Sequence, residues 1–254
     1  GYTRLFNYER LNSEPLPAIF RDQQVYGSTP ATLHDPWDCK PSFNPAFLQQ
    51  PAEMKQCIAW FLSCAPFPDP DEDAKFENLF RTEAAYRNGA IERLTRDIHN
   101  EIGKRKIYCL TPCPVSPLMW AHYGDSHQGI CLEFQVDNNP VFQNTWEINY
   151  VDVYPKWLPQ RVESHAKEII LTKSNHWRYE HEFRILASPY VPDGNPLKLA
   201  GDFIKLPPQA LASIIVGYKG NYEEVTRIVS EHAPGLPVKR IVQVPYQYKL
   251  MING

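Results

Sequence analysis

The 254-residue chain is expected to fold as α+β: a mixed β-sheet with flanking helices and a mostly helical insertion at about 51–104, all within a single domain spanning 1–254. Three observations predict this. Hydrophobic residues at 43% suffice for a sizeable core. The 24 prolines, about twice average usage, demand many loops and short elements rather than a helical bundle. The second half alternates strand-like with helix-like pieces.

Leu5 to Tyr8 reads as a short strand, and Leu11, Pro15, Leu16, Ile19 and Phe20 as a turn and a short amphipathic helix. Val25 to Ser28 is a second strand, entering a proline-stiffened loop from Thr29 to Cys39 that holds Asp35 and Asp38. Met54, Ile58, Phe61 and Leu62 recur at helical spacing, as do Phe76, Leu79, Phe80, Ile91, Leu94 and Ile98, with Pro66, Pro68 and Pro70 breaking the helix between them. Strands are then expected at Ile107–Leu110, Ile130–Phe134, Trp146–Val151 and Trp177–Leu186, with a helix near Val162–Lys173. Ala212–Tyr218, a helix Tyr222–His232 and a strand Lys239–Tyr246 make a βαβ-like unit, and one mixed sheet is expected to gather the strands.

Composition excludes several classes. Acids outnumber bases by only three, so the total charge gives no strong pull toward nucleic acid or anionic membrane, although a local basic patch is compatible with it. No stretch approaches the roughly 18 apolar residues of a membrane span. Six dispersed cysteines are neither the density nor the spacing of a secreted disulfide scaffold, which leads us to expect reduced thiols in a cytoplasmic setting. Cys109 and Cys113 lack a second close pair, so no metal site is expected.

Two segments carry polar chemistry. In Met119 to Gly129 a short helical turn should stop at Gly124, crowding His122, Tyr123, Asp125 and His127 into one corner. The following strand turns Ile130, Leu132 and Phe134 to one face and Cys131 and Glu133 to the other. Trp177 to Leu186, taken as a strand, places Arg178, Glu180, Glu182 and Arg184 on one side, with the two carboxylates roughly 7 Å apart. A purely structural role fits both segments equally: buried, satisfied polar groups at the corner and a solvent-facing ladder of alternating charge. Tyr218 to Asn221 joins a strand to a helix, where backbone N–H groups can face an anion.

The order Leu5–Tyr8, His34–Cys39, Leu118–Phe134 (LMWAHYGDSHQGICLEF) and Trp177–Arg184 (WRYEHEFR) resembles a bacterial family described only as a domain of unknown function. A looser resemblance is to ADP-ribosyltransferases, because Glu180-His181-Glu182 looks like their paired-glutamate motif. That resemblance implies an ADP-ribosyltransferase-like fold with NAD as substrate. It implies that Glu182 holds the nicotinamide ribose hydroxyl, that Glu180 positions the acceptor, and that Arg10 or Arg4 lies near the phosphates. Trp120, Tyr123 or Tyr179 would stack on the nicotinamide, and His122 shares the corner. The Ser-Thr-Ser strand of that family has only Ser28 in Gly27-Ser28-Thr29-Pro30, or Cys109-Leu110-Thr111, as a stand-in.

The function implied is an NAD-dependent ADP-ribosyltransferase or NAD glycohydrolase, acting on a protein or nucleic-acid acceptor in bacterial defence or as a toxin or effector. Two alternatives stand beside it: a non-catalytic binding or defence module, and a metal-dependent nuclease or hydrolase using Asp35, Asp38, His122 and Glu133.

Overall fold

The computed structural model describes residues 2–11, 16–65 and 69–254; the expected turn at Pro15 and the breaks at Pro66 and Pro68 lie outside them. The chain is mixed α+β, with a multi-stranded sheet and several flanking helices. It divides into two compact units, one of Gly1–Thr29, Arg105–Ile148 and Asn175–Gly254, the other of Pro30–Lys104 and Asn149–Ser174.

In the first unit a five-stranded sheet has the order Arg4–Glu9, Ile130–Gln135, Leu211–Val216, Val238–Gln243, Leu250–Asn253. It is mixed because Leu211–Val216 runs parallel to Val238–Gln243, with the helix Tyr222–His232 as crossover, while the other pairs are antiparallel. Asn221 caps that helix, its Oδ1 accepting from the Glu224 N–H at 3.2 Å. Alternation assigns the faces. Leu5, Ile130, Leu132, Phe134, Ile214 and Val216 join one apolar cluster, and Phe6, Tyr8, Cys131, Ile215 and Ile241 join another across the sheet.

The single sheet expected from the sequence is replaced by several. Lys106–Leu110, Phe183–Ala187 and Thr145–Glu147 form a separate three-stranded sheet, and Gln24–Tyr26 pairs with Phe203–Lys205 and Leu199–Ala200 in another. The expected strand Trp146–Val151 is split, because Ile148 turns away to donate its N–H to the Glu182 carbonyl at 3.0 Å. Trp177–Leu186 is also corrected. Asn175–Glu180 is a 3-10 helix, and the strand begins only at Phe183, after His181 adopts a left-handed φ of 46°. The strand expected to reach Tyr246 ends at Gln243, and the edge strand Leu250–Asn253 was not anticipated.

In the second unit the helices are Pro51–Cys64, Pro70–Thr82, Ala84–Gly103 and Val162–Leu171. Asp69 caps the second of these through its Oδ1, which accepts from the Asp71 N–H at 2.9 Å, with Pro70 at the first position and three acids in the first turn. The Phe61, Phe76 and Phe80 rings pack within 6 Å of one another, which explains the periodicity of that stretch. Asn149–Val151 and Thr172–Ser174 pair in parallel, and Lys173 forms a buried ion pair with Asp38 at 3.7 Å. Among the described residues no helix is long and apolar enough to cross a membrane.

Candidate active site

The corner begins at Ser116, whose Oγ accepts from the Met119 N–H at 3.4 Å and, with Pro117 at the first position, starts the helix Pro117–His122. Trp120 fixes that helix. It is fully buried, its Nε1 donates to the Pro114 carbonyl at 2.9 Å, and the Tyr8 ring meets it edge-on at 4.9 Å. Tyr8 donates its hydroxyl to the Cys113 carbonyl at 2.7 Å, tying the first strand to the same loop.

Past Tyr123 the backbone turns left-handed through three successive non-glycine residues, Asp125, Ser126 and His127, at φ of 49°, 55° and 74°. Such a run persists only when its surroundings hold it. The His127 N–H donates to the Trp120 carbonyl at 3.0 Å and the Gly129 N–H to the Gly124 carbonyl at 2.9 Å. Glycine is required at two places: a Cβ at Gly124 would lie 2.5 Å from the Trp120 ring, and one at Gly129 would lie 2.2 Å from the Glu9 carbonyl oxygen. The second approach sets the end of the first strand, and with it the exposed Arg10, beside this turn.

The 3-10 helix Asn175–Glu180 meets the corner. The Tyr123 hydroxyl donates to Glu180 Oε1 at 2.5 Å, and the Glu180 side chain belongs to a residue only 3% exposed. Burial, and then the charge and hydrogen bond of Glu180, raise the Tyr123 phenol well above its ordinary range, so it remains a donor. Around the pair the rings of His122 and Tyr179 lie 6.2 Å apart and tilted, as do those of Trp177 and Tyr179. His122 is exposed and Tyr123, Trp177 and Tyr179 are half-buried, so this row of rings borders solvent, while the carboxylate that Tyr123 binds is buried.

Glu182 is placed differently from the expected open ladder. Arg184, fully buried, donates from Nε to Glu182 Oε1 at 2.6 Å and from Nη2 to Oε2 at 3.1 Å, a two-pronged ion pair in the interior. Strand-like alternation had put both residues on a charged outer face; the 3-10 helix and the left-handed His181 turn them inward instead.

The other expected residues divide. Tyr123, Glu180, His122 and Tyr179 come together. Trp120 is core and offers no open ring face. Arg4 is drawn to Glu133 at 3.4 Å. Ser28 exchanges backbone hydrogen bonds with Ile107, both at 2.8 Å. Sequence reasoning missed Ser213 and Lys239, which hold Glu133: the Ser213 hydroxyl donates to it, and Lys239 Nζ lies 2.7 Å away. Burial alone would raise the Glu133 carboxyl, but the hydrogen bonds from Lys239 and Ser213 and the nearby cations leave it lowered. Alternation in Leu211–Val216, which opposes Ser213 to Ile214, was the available signal.

Asp35 and Asp38 are buried in the second unit, whereas His122 and Glu133 belong to the first. The Trp37 N–H donates to Asp35 Oδ1 at 2.9 Å, a local turn. Among the described residues no group of three or more His, Cys, Asp or Glu side chains is arranged to hold a metal ion. None of the six cysteines is joined in a disulfide.

Residues 119–185 match a family described as "Protein of unknown function (DUF2971)". The match covers well under half of the chain, yet it spans both the corner and the segment that carries Glu180 and Glu182. No curated protein and no solved structure matches the chain.

Proposed function

We propose that the Tyr123–Glu180 corner is the site of an NAD-cleaving enzyme, an ADP-ribosyltransferase or NAD glycohydrolase. The observation that carries this reading is a buried carboxylate, hydrogen-bonded by a phenol that stays protonated and that belongs to a corner whose rings border solvent. A flat, cationic nicotinamide suits such rings, and the carboxylate suits the charge that develops as the ring leaves.

In this mechanism the bond between ribose C1′ and the nicotinamide nitrogen breaks, and its electron pair departs with nicotinamide. The Glu180 carboxylate steadies the positive charge left on the ribose. A lone pair of the acceptor, or of water, forms the new bond to C1′ and releases its proton to solvent. Tyr123 fixes the carboxylate through its hydrogen bond, and Tyr179 with His122 stacks on the base. Glu182, neutralised by Arg184, acts as a positioning residue that holds the segment, so the ribose role that the sequence resemblance gave to Glu182 passes to Glu180. For the pyrophosphate Arg10 is the better candidate, because Arg4 is engaged by Glu133.

The test is nicotinamide release from NAD by the full chain. Glu180→Gln should lower the rate on the order of 10² to 10³ while leaving the melting temperature within a few degrees. A wild-type protein that releases no nicotinamide, with water or any offered acceptor, would overturn the proposal.

A further inference from the structure

The hairpin formed by residues 238–253 ends in a feature with no structural benefit of its own. Its tip is a tight turn in which the Gln247 N–H donates to the Val244 carbonyl at 3.2 Å, closed by the Val244 N–H donating to the Lys249 carbonyl at 2.9 Å. Pro245 and Tyr246 are the central residues, and Tyr246 has a φ of 60°. That is the position of such a turn where glycine or asparagine is favoured, because a side chain there crowds the backbone. Tyr246 and Tyr248 are also completely exposed, at 107% and 110%, so neither ring gains from burial. A strained tyrosine and a fully wet one at the same tip are both unfavourable choices for the fold.

The sequence that carries them is one-sided in charge. From 232 to 254 the sequence contains no acid but carries Lys239, Arg240 and Lys249. Lys239 is engaged by Glu133. Arg240 and Lys249 are exposed, and the Arg240 guanidinium lies 5.6 Å over the Tyr222 ring.

We propose that this hairpin is a docking surface for single-stranded nucleic acid, with Tyr246 and Tyr248 stacking on bases and Arg240 and Lys249 facing phosphates. Exposed rings on a segment that carries cations and no acid of its own match the two faces of such a strand, flat bases and an anionic backbone. The inference does not depend on NAD.

The test is fluorescence anisotropy with end-labelled U12 and dT12 on the full chain at low salt. We expect binding that weakens as salt rises, and a loss of about 10-fold for each of Tyr246→Gly and Tyr248→Ala. Tyr246→Gly should melt at the same temperature as wild type or higher, since glycine accepts that φ, so lost binding could not be ascribed to unfolding. Binding of one oligomer or both supports the proposal and identifies RNA or DNA as the ligand. No binding to either, equal binding to a duplex of the same length, or wild-type affinity in the double variant would overturn it.

Discussion

On one face of the five-stranded sheet Leu5, Leu132, Phe134, Ile214 and Val216 are sealed into an apolar cluster; on the other, Phe6, Tyr8, Cys131 and Ile215 share the surface with Glu133, Ser213 and Lys239 and support Trp120 and the corner. The same strands thus serve two purposes. Closed packing on the first side supplies rigidity, and the second side can then hold polar groups and a left-handed turn that would not persist alone. The difference teaches that stability and candidate chemistry are separated by one residue of strand alternation.

The largest way to break this division is Phe134→Ala. Phe134 is fully buried and stacks on Phe142 at 4.9 Å, so its loss should cost about 3–5 kcal/mol, visible as a melting temperature lower by about 10 °C in circular dichroism. Retained stability would mean that the first face is not the main support.

Next is Arg184→Met, which strips the guanidinium from a buried Glu182 and should cost about 3 kcal/mol or more. Adding Glu182→Leu should recover much of that loss in denaturant unfolding. A double variant no more stable than the single one would show that the pair does not act as a unit.

Glu9 sharpens the comparison through pH. By alternation it falls on the side of Leu5, and burial pushes its carboxyl up to about 7. A raised carboxyl favours the folded state when protonated, so this contribution is present below the unfolded value of about 4.5 and is lost as pH rises through about 7. Glu9→Gln should therefore stabilise the protein on the order of 2 kcal/mol at pH 8 and hardly at pH 4. An equal effect at both pH values would contradict the assigned cause.

The smallest expected effect is Tyr123→Phe. Removing the donor to Glu180 should cost about 1–2 kcal/mol, while the proposed nicotinamide release should fall by a larger factor because the carboxylate is no longer held. A stability loss with unchanged turnover would make Tyr123 a structural residue alone.

Much of the fold was legible in the sequence where local pattern and burial agree. Ile130 to Phe134 alternates as the sheet requires, Gly124 follows the end of its helix, and the βαβ unit shows a strand, a capped helix and a strand in order. The Trp177–Leu186 stretch misled because its period-two charges fit a strand, while the left-handed turn at His181 that ends the 3-10 helix leaves no mark in composition. The grouping of Tyr123 with Glu180, 57 residues apart, and of Glu133 with Lys239, 106 apart, is set by tertiary packing and has no local signature. Arg184 stood in view two residues from Glu182, but its burial was not readable from an alternating charge pattern.

The measurement that bears most directly on the corner is a crystal structure of the protein soaked with NAD or a non-cleavable analogue. The account predicts the nicotinamide ring against Tyr179 and His122, with its ribose within hydrogen-bonding distance of Glu180. NAD bound elsewhere on the chain, or crystals that take up none at millimolar concentration, would contradict it.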